Sequence, residues 1–495
     1  MNHSLIFNVH SIGVRRPSGP YRIATILRDN DWDVEIVEYA YYFKLEELKE
    51  FTRSRVTSST VFIGFSCFFY VWNQMFDDFV LWLKTEYPTI KTIIGGQSRQ
   101  IMATKNIDYY VHGYGEHAIL EIIKAISGNT NANLKFDPLF FGSKKVITAN
   151  HAYPAFPMQS LKIKYEVRDD IQPWEWLTLE LARGCIFQCT YCNFPILGVK
   201  NDHTRSAEDF EEEIKENYER WGVNSYYVAD ETFNDYSAKI NKFAEVVDRI
   251  NIQTNMTGFI RADLLVNRKQ DWDSLIKLGF WGQFYGVETM NPNSAKAIGK
   301  GMNPTKLRNG LLEAREYFKA RGPYRGSMGI VVGLPHETFE SQQATFDWID
   351  QYWAGESAHV WPLEIPVDPK TDVLSKLATD FKKYGYVESD IIPPEVPDAI
   401  LAFGEAESRI KQMSNCLNWK NDNMTYADAC RIADEWTLQS INGTKNITIG
   451  ALALGYYASM GTSLQHVVDN KKVWEQPDQD HDIRIKEYIN RKLSR

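Results

Sequence analysis

The sequence has few cysteines, no long apolar run and no basic tract, and each absence excludes a class of protein. Its 6 cysteines among 495 residues are too few for a disulfide framework. No stretch approaches the ~20 consecutive apolar residues of a membrane-spanning helix. The net charge is −9, and the scattered basic pairs form no nucleic-acid footprint. We therefore expect no membrane partner and find no clear nucleic-acid footprint, while the sequence stays compatible with a small or locally bound nucleic acid.

The remaining composition is that of an ordinary globular protein, with 44% hydrophobic and 24% charged residues. The amino terminus, MNHSLIFNVHSIG, lacks the basic start and long apolar core of a signal peptide. These features predict a cytoplasmic protein. The length is sufficient for two or three domains.

Residues 1–130 alternate short apolar runs with helical stretches. The predicted strands of this region begin at Leu5, Val34, Val61, Thr92 and Asp108. Nearly continuous apolar runs that alternate with helices predict a parallel sheet covered on both faces, in a doubly wound, Rossmann-like domain. Residues 131–172 contain the proline-bearing stretch HAYPAFPMQS and are predicted as a linker.

A second alternating series occupies residues 173–390. Its predicted strands begin at Trp176, Asn224, Thr254, Gly282, Ser327 and His359. Six β/α units in succession predict a parallel partial barrel, and ligands of such barrels bind at the carboxyl ends of the strands. Beyond the PPEVP stretch, residues 391–495 are predicted to form a mostly helical domain. The fold class is therefore α/β.

Three cysteines follow the first strand of the predicted barrel. Cys185, Cys189 and Cys192 have the spacing C-x3-C-x2-C. Cysteine thiolates hold iron–sulfur clusters, usually four to a cluster, so three would leave one iron open to a small molecule. The alternative is a zinc site with His203 as fourth ligand. Zinc sites usually pair their ligands, and here a single histidine follows at a distance, which disfavours zinc.

This cysteine motif, with Tyr191 before the third cysteine, resembles that of the radical S-adenosylmethionine (SAM) superfamily. The resemblance covers about Pro173 to Asp390. It implies a [4Fe–4S] cluster that binds SAM and cleaves it to a 5′-deoxyadenosyl radical, which abstracts a hydrogen atom. It also implies a flavodoxin- or ferredoxin-type protein as reductant.

The same resemblance implies a set of SAM-binding residues near the later strand ends. Asp230 and Glu231 stand where the family has a glycine-containing motif, and Glu288 ends the fourth strand in GVETMNP. The residues assigned to SAM are Tyr191, Asp230, Glu231, Arg261, Glu288, Val332 and Leu363. Taken singly, Arg261 or Glu288 would more often belong to an ion pair at the surface or at the rim of a barrel, and it is their joint placement at successive strand ends that favours a ligand role.

The amino-terminal region resembles the cobalamin-binding domains that precede some radical SAM barrels. Their motif, D-x-H-x-x-G followed by S-x-L and G-G, corresponds here to NVHSIG and to later serine and glycine positions, with Asn8 for the aspartate and Phe68 for the leucine. The positions assigned to cobalamin are His10, Ser66, Gly95, Gly96, Gly113 and Glu116. His10 would offer an imidazole to cobalt. The alternative is a domain of this architecture that has lost cobalamin.

These resemblances together predict an enzyme that transfers a methyl group to an unactivated carbon. A cobalamin-independent radical SAM enzyme, which would catalyse rearrangement, cyclisation or oxidation, is the alternative. A non-catalytic metal- or nucleotide-binding protein is least favoured. The sequence identifies the substrate no further than a small molecule or a modified biomolecule, and it identifies no catalytic residue beyond the cofactor ligands.

Overall fold

The structure is a computed structural model, which describes residues 1–10, 15–67, 72–96, 106–140, 145–192, 203–370, 374–401, 416–442 and 478–494. The chain forms two compact units. The first consists of Met1–Ile171, Pro369–Val373 and Pro477–Arg495. The second consists of Gln172–Asp368 and Leu374–Gln476.

The first unit is built on a six-stranded parallel sheet. Its strands are β1 (His3–Val9), β2 (Asp33–Val37), β3 (Thr60–Cys67), β4 (Lys91–Gly96), β5 (Tyr109–His112) and β6 (Val146–Thr148). They lie in the order β2-β1-β3-β4-β5-β6. All seven residues of β1 are buried, as expected of a central strand with helices on both faces. The predicted Rossmann-like layout is confirmed.

Helices of the first unit connect these strands. They are α1 (Ser18–Arg28), α2 (Leu45–Arg55), α3 (Gln74–Glu86) and α4 (Glu116–Ile126). The helix α3 begins where the Asn73 side chain accepts a hydrogen bond from the Phe76 amide at 3.4 Å, which satisfies one of its first amide groups. A further helix of this unit, Asp478–Ser494, comes from far along the chain.

Two predicted boundaries differ from the structure. Residues 131–172 are not a plain linker, because they supply the edge strand β6, which pairs with β5 in parallel. The predicted domain 391–495 is divided between the units, because helix α13 (Asp478–Ser494) belongs to the first. Ile485, Tyr488 and Ile489 of this helix join the apolar core of the first unit. This long-range packing leaves no local signal in the sequence.

The second unit contributes six parallel strands to another sheet. Its strands are β7 (Trp176–Leu179), β8 (Ser225–Val228), β9 (Asn255–Ile260), β10 (Phe280–Glu288), β11 (Arg325–Val332) and β12 (Ser357–Pro362). Each strand pairs in parallel with the next along the chain. This arrangement confirms the predicted series of six β/α units and brings all six carboxyl ends to one edge.

The helices of the second unit follow the strands in turn. They are α5 (Ala207–Trp221), α6 (Ser237–Ile250), α7 (Ala262–Asn267), α8 (Trp272–Lys277), α9 (Pro292–Ala297), α10 (Pro304–Lys319), α11 (Phe339–Tyr352) and α12 (Tyr426–Ile441). Ser206 caps α5 by accepting a hydrogen bond from the Asp209 amide at 3.1 Å. Gly222 ends α5 with φ = 71°, in the left-handed region where glycine is favoured.

Short elements complete the described chain. One-turn helices lie at Ala149–Ala152, Lys376–Thr379 and Asp398–Leu401, and two-residue antiparallel pairings join Ala182–Arg183 to His203–Thr204 and Val387–Glu388 to Trp419–Lys420. Among the described helices, none has both the length and the apolar character required to cross a membrane.

Candidate cluster and cofactor sites

The cysteine loop follows β7, at the carboxyl edge of the second sheet. Asp230, just after β8, fixes the start of this loop, because its Oδ1 atom accepts hydrogen bonds from the Leu181 and Ala182 amides at 2.8 and 3.0 Å. Burial raises the pKa of Asp230 to about 6, against the opposing effects of Lys239 and these amides. The Asp230 carboxyl group therefore positions the loop that carries the cysteines.

The first two cysteines have polar neighbours from other strand ends. The Sγ atom of Cys185 lies 3.5 Å from the Thr232 hydroxyl, and Nη1 of Arg261 lies 3.5 Å from Sγ of Cys189. The Arg261 guanidinium stacks 3.7 Å from the centre of the Phe187 ring. Cys189 is buried, whereas Cys185 and Cys192 are half-buried. The structure thus brings Arg261, from the end of β9, to the cysteine loop.

The arrangement of these cysteines bears on the zinc alternative. A single zinc ion requires its ligands to converge on one point. Among the described side chains, no three Cys, His, Asp or Glu residues converge in that way. The backbone of His203 pairs with Arg183, while its side chain lies outside the described part of the chain. An iron–sulfur cluster requires no such convergence, because each thiolate binds a different iron.

Glu288 is the centre of a second polar group at the same edge. Its Oε1 atom accepts hydrogen bonds from the Tyr191 hydroxyl and from Nζ of Lys300, both at 2.9 Å. Its backbone adopts φ = 66°, a left-handed conformation that is rare for a residue with a long side chain. Such strain is typical of functional sites, where the surrounding structure maintains it. Burial, together with the Glu288 charge, raises the pKa of Tyr191.

Lys300 is a member of this group that the sequence analysis did not identify. It follows Glu288 by twelve residues, after the short helix α9, and its Nζ also donates to the Gly286 carbonyl. A Cβ atom at Gly286 would lie 2.8 Å from Oε1 of Glu288 and 2.9 Å from Nζ of Lys300. A side chain at position 286 would therefore displace the ends of the Glu288 and Lys300 side chains. The signal in the sequence that could have identified Lys300 is its position between two glycines, shortly after a strand that ends in Glu288.

The remaining positions assigned to SAM differ in their surroundings. Glu231 is half-buried beside Asp230. Val332 and Leu363 are buried and hydrogen-bonded to each other, the Leu363 amide donating to the Val332 carbonyl at 2.8 Å. The Leu363 carbonyl accepts from Nε1 of Trp419 at 2.8 Å. SAM contacts at these positions remain predictions.

In the first unit, Ser66, Gly95 and Gly96 lie at the carboxyl ends of β3 and β4, where they pair across the sheet. A Cβ atom at Gly96 would lie 2.3 Å from the Cys67 carbonyl oxygen, so packing alone requires this glycine. At Gly95 an added Cβ atom would meet just the Val111 carbonyl oxygen, at 3.8 Å. The lack of a side chain at Gly95 therefore leaves space beside the end of β4, and close packing does not account for a glycine at this position.

Gly113 and Glu116 lie at the same edge. Gly113 has φ = 89°, and its amide donates to the Gly96 carbonyl at 3.1 Å, which makes the turn into α4. Glu116 is the first residue of α4 and is buried. Gly13 and Phe68, which belong to the motif resembling the cobalamin family, lie outside the described residues.

His10 lies in a closed polar network rather than at an open surface. Its ring Nε2 atom contacts Oε1 of Glu38, and both residues are fully buried. The same carboxylate accepts hydrogen bonds from Nδ2 of Asn8 at 2.7 Å and from the Tyr21 hydroxyl at 2.6 Å. The Tyr488 hydroxyl accepts a hydrogen bond from the Glu38 amide at 2.9 Å. Burial alone would raise the pKa of Glu38, but His10 and its other partners lower it.

Glu38 was not identified from the sequence either. It follows β2 directly and supplies the carboxylate that Asn8 lacks, from a neighbouring strand. Because Nε2 of His10 already contacts this carboxylate, the arrangement does not fit cobalt ligation through that nitrogen. The signal in the sequence was an acidic residue directly after a buried strand, where a charge requires a partner.

A Rossmann-like sheet domain followed by a parallel six-stranded unit with a three-cysteine loop defines a class of architecture, and comparisons with known proteins agree with it. Residues 179–349 match the model of the radical SAM superfamily. The radical SAM methyltransferase TsrM from Kitasatospora setae, solved with tryptophan and a SAM analogue, has a TM-score of 0.64 at 13% identity, covering 98% of this chain and 99% of that one.

Two further relatives extend the comparison. The cobalamin-dependent SAM radical enzyme OxsB, solved with aqua-cobalamin and SAM, has a TM-score of 0.60 at 14% identity over 99% of this chain and 75% of that one. The anaerobic magnesium-protoporphyrin IX monomethyl ester cyclase of Synechocystis sp. is 24% identical over 252 residues, 48% of this chain. That match spans 50% of the cyclase's length. Residues 179–349 thus resemble the radical SAM superfamily, and the fold of the chain is similar to those of TsrM and OxsB along nearly its whole length.

Proposed function

We propose that this chain binds a [4Fe–4S] cluster through Cys185, Cys189 and Cys192 and, with SAM and cobalamin, transfers a methyl group to an unactivated carbon. The main support for the proposal is the position of the cysteine loop, which follows the carboxyl end of β7 and lies beside Arg261. Its support is a fold that follows TsrM along nearly the whole of both chains. The substrate is a small molecule or a modified biomolecule, and a flavodoxin- or ferredoxin-type protein supplies the electron.

The residues of the second unit have distinct parts in this proposal. When bound, the cluster and SAM supply a 5′-deoxyadenosyl radical that removes a hydrogen atom from the substrate. Arg261 places a positive charge beside the thiolate ligands, whose cluster carries net negative charge. Glu288, held by Tyr191 and Lys300, presents a carboxylate that accepts hydrogen bonds from the hydroxyl or ammonium groups of SAM. Asp230 positions the loop.

The residues of the first unit offer space for cobalamin at the edge of the sheet, but they do not offer Nε2 of His10 to its cobalt. Gly95 and Ser66 offer space and a hydroxyl at the carboxyl edge of the sheet, where ligands of doubly wound sheets bind. Bound cobalamin would supply the methyl group. Nε2 of His10 would not ligate cobalt, because that atom contacts Glu38.

Anaerobic reconstitution of the full chain tests this function. The protein is loaded with iron, sulfide and hydroxocobalamin, desalted, and incubated with dithionite and SAM that carries a deuterated methyl group. We expect an equimolar corrinoid after desalting, formation of 5′-deoxyadenosine, and the deuterated methyl group on the protein-bound corrinoid by mass spectrometry. Absence of 5′-deoxyadenosine from an iron-loaded protein would contradict the proposal and favour a non-catalytic metal- or nucleotide-binding protein.

A second function is a cobalamin-independent radical reaction, namely rearrangement, cyclisation or oxidation. The observation that favours it is the contact between His10 and Glu38, which occupies the Nε2 atom of the histidine. A protein that cleaves SAM but retains no corrinoid after desalting would establish this alternative and reject methyl transfer from cobalamin.

A further inference from the structure

One face of the second sheet carries aromatic side chains that the proposed cofactor chemistry does not use. Paired residues of neighbouring parallel strands point to the same face. Phe259 pairs with Phe284, and Gly329, on the strand between, pairs with His359. We call this set the aromatic belt, and its members are Trp176, Tyr227, Phe259, Phe284, His359 and Trp361.

The rings of the aromatic belt contact one another across the strands. The Phe259 and Phe284 ring centres lie 5.2 Å apart, and those of Phe284 and His359 lie 5.8 Å apart. Tyr227 lies 6.3 Å from Phe259. His359 and Trp361 stack at 5.6 Å with their planes 10° apart. These separations are those of interacting aromatic pairs, so the belt is a continuous aromatic surface.

The aromatic belt is more open than the opposite face of the same strands. On that other face Tyr226, Tyr285 and Met328 are fully buried. Within the belt, Trp176 and Tyr227 are buried at one end, whereas Phe259, Phe284 and His359 are half-buried and Trp361 is 39% exposed. A contiguous aromatic surface that stays partly open is typical of a binding site rather than of a closed core.

Gly329 of β11 keeps the belt flat at its centre. A Cβ atom there would lie 3.1 Å from the Trp361 ring and 3.2 Å from the Phe284 ring. Both rings therefore extend over the bare backbone of β11, which a larger residue would prevent.

The belt is continuous with the candidate cluster and SAM residues. Phe259 precedes Arg261 by two residues, and Phe284 precedes Glu288 on the same strand. The six belt residues present ring faces and edges, which stack on flat ring systems.

We propose that the aromatic belt binds the substrate of this enzyme, and that this substrate contains a planar conjugated ring system. The inference rests on the proposed radical SAM function, because it assigns the substrate class of that same site. Planar rings stack on Phe284 and on the His359–Trp361 pair, whereas saturated rings of the same skeleton cannot.

A pair of neutral probes, 2-naphthol and its saturated analogue decahydro-2-naphthol, tests this proposal. Binding to the full chain, with cluster and SAM loaded, is measured by isothermal titration calorimetry. We expect 2-naphthol to bind about tenfold more tightly than the saturated probe. In Trp361→Ala the affinity for 2-naphthol should fall about fivefold, and in Trp361→Phe it should stay near that of the wild type, because an aromatic ring is retained.

Tyr218→Ala is the matched control, because Tyr218 is an exposed aromatic residue on α5, outside the belt. Its affinity for 2-naphthol should equal that of the wild type. If Trp361→Ala does not fold, Phe284→Leu, which removes a ring of the belt while keeping an apolar side chain, takes its place with the same expected loss. Equal affinity of wild-type protein for the two probes, or undiminished binding by a folded Trp361→Ala variant, would overturn the proposal.

The wild-type protein also separates this proposal from the proposed function. If it distinguishes the two probes but forms no 5′-deoxyadenosine, the radical function fails while the planar-ring site stands. If it cleaves SAM but binds both probes equally, the function stands and the aromatic belt is not the substrate site.

Discussion

Both parallel sheets carry polar residues at the carboxyl ends of their strands. The two edges differ in how deeply the side chains of those residues are buried and in how they contact one another. In the second unit, Cys185, Cys192 and Glu288 are half-buried, and the Glu288 backbone is strained. In the first unit, His10 and Glu38 are fully buried and in contact with each other. Sheet topology brings functional residues to an edge, but burial and partners distinguish an open site from a closed structural network.

The largest expected effect is in the second unit. Cys185→Ala, Cys189→Ala or Cys192→Ala should each abolish iron loading and SAM cleavage, because a cluster with one thiolate fewer is not retained. Iron and sulfide content, together with 5′-deoxyadenosine formation, are the measurements. Cys416→Ala, which removes a cysteine outside the motif, should retain both. If a triple alanine variant still formed 5′-deoxyadenosine, the edge of the second sheet would not be a cluster site. The proposed difference between the two edges would then be wrong.

In the first unit the main effect should be on stability. Glu38→Ala leaves His10, Tyr21 and Asn8 without their shared carboxylate, and each buried polar group that loses its partner costs about 1–3 kcal/mol. Urea unfolding of the full chain measures the loss. Glu50→Ala, at an exposed position of α2, should change the free energy of unfolding by less than about 0.5 kcal/mol. Equal effects of the two substitutions would mean that the network does not stabilise the unit.

The effect of Glu38 should also depend on pH. Its partners hold the pKa of Glu38 below the ordinary value, so its contribution to stability is present above the pKa of the unfolded chain. That contribution is lost as the pH falls through the folded-state pKa. The difference in the free energy of unfolding between wild type and Glu38→Ala should therefore narrow in acid. A difference that widened below the ordinary glutamate range would reverse this assignment.

A smaller effect should come from the strained backbone at Glu288. Glu288→Gly and Glu288→Ala both remove the contacts with Tyr191 and Lys300, but glycine alone adopts φ = 66° without strain. We expect the glycine variant to be about 1 kcal/mol more stable than the alanine variant. Both should bind SAM more weakly than the wild type in equilibrium dialysis. Greater stability of the alanine variant would show that position 288 is unstrained.

The smallest effect should be that of His10→Ala on the spectrum of bound cobalamin. Since Nε2 of His10 contacts Glu38, we expect the visible spectrum of the reconstituted protein to match that of the wild type. A shift of the cobalt bands in a folded variant would place His10 at the metal. The carboxyl edge of the sheet in the first unit would then be a ligand-binding site, like that of the second unit.

The fold and the cysteine loop could be predicted because their signals are local. Apolar runs alternating with helical stretches predicted both sheets, and the three cysteines lie close together in sequence. Ser206 and Gly222 mark the ends of α5 by capping chemistry that operates within one turn. At each of these positions the residues that interact are near neighbours along the chain.

Contacts between distant segments could not be predicted in this way. Glu38 lies 28 residues from His10, and its amide meets Tyr488, 450 residues away. The partnership of Lys300 with Glu288 depends on how α9 returns to the end of β10. The left-handed backbone of Glu288 also leaves no trace in the sequence, because glutamate carries no preference for that conformation.

The terminal helix α13 has a consequence for how the protein is made. Domains generally fold from the amino terminus during synthesis. Here the strands of the first sheet leave the ribosome long before Ile485, Tyr488 and Ile489, which complete their core. Until those residues follow, the apolar surface that α13 covers lies open in the nascent chain, so the core of the first unit is completed after the residues of the second unit have been made.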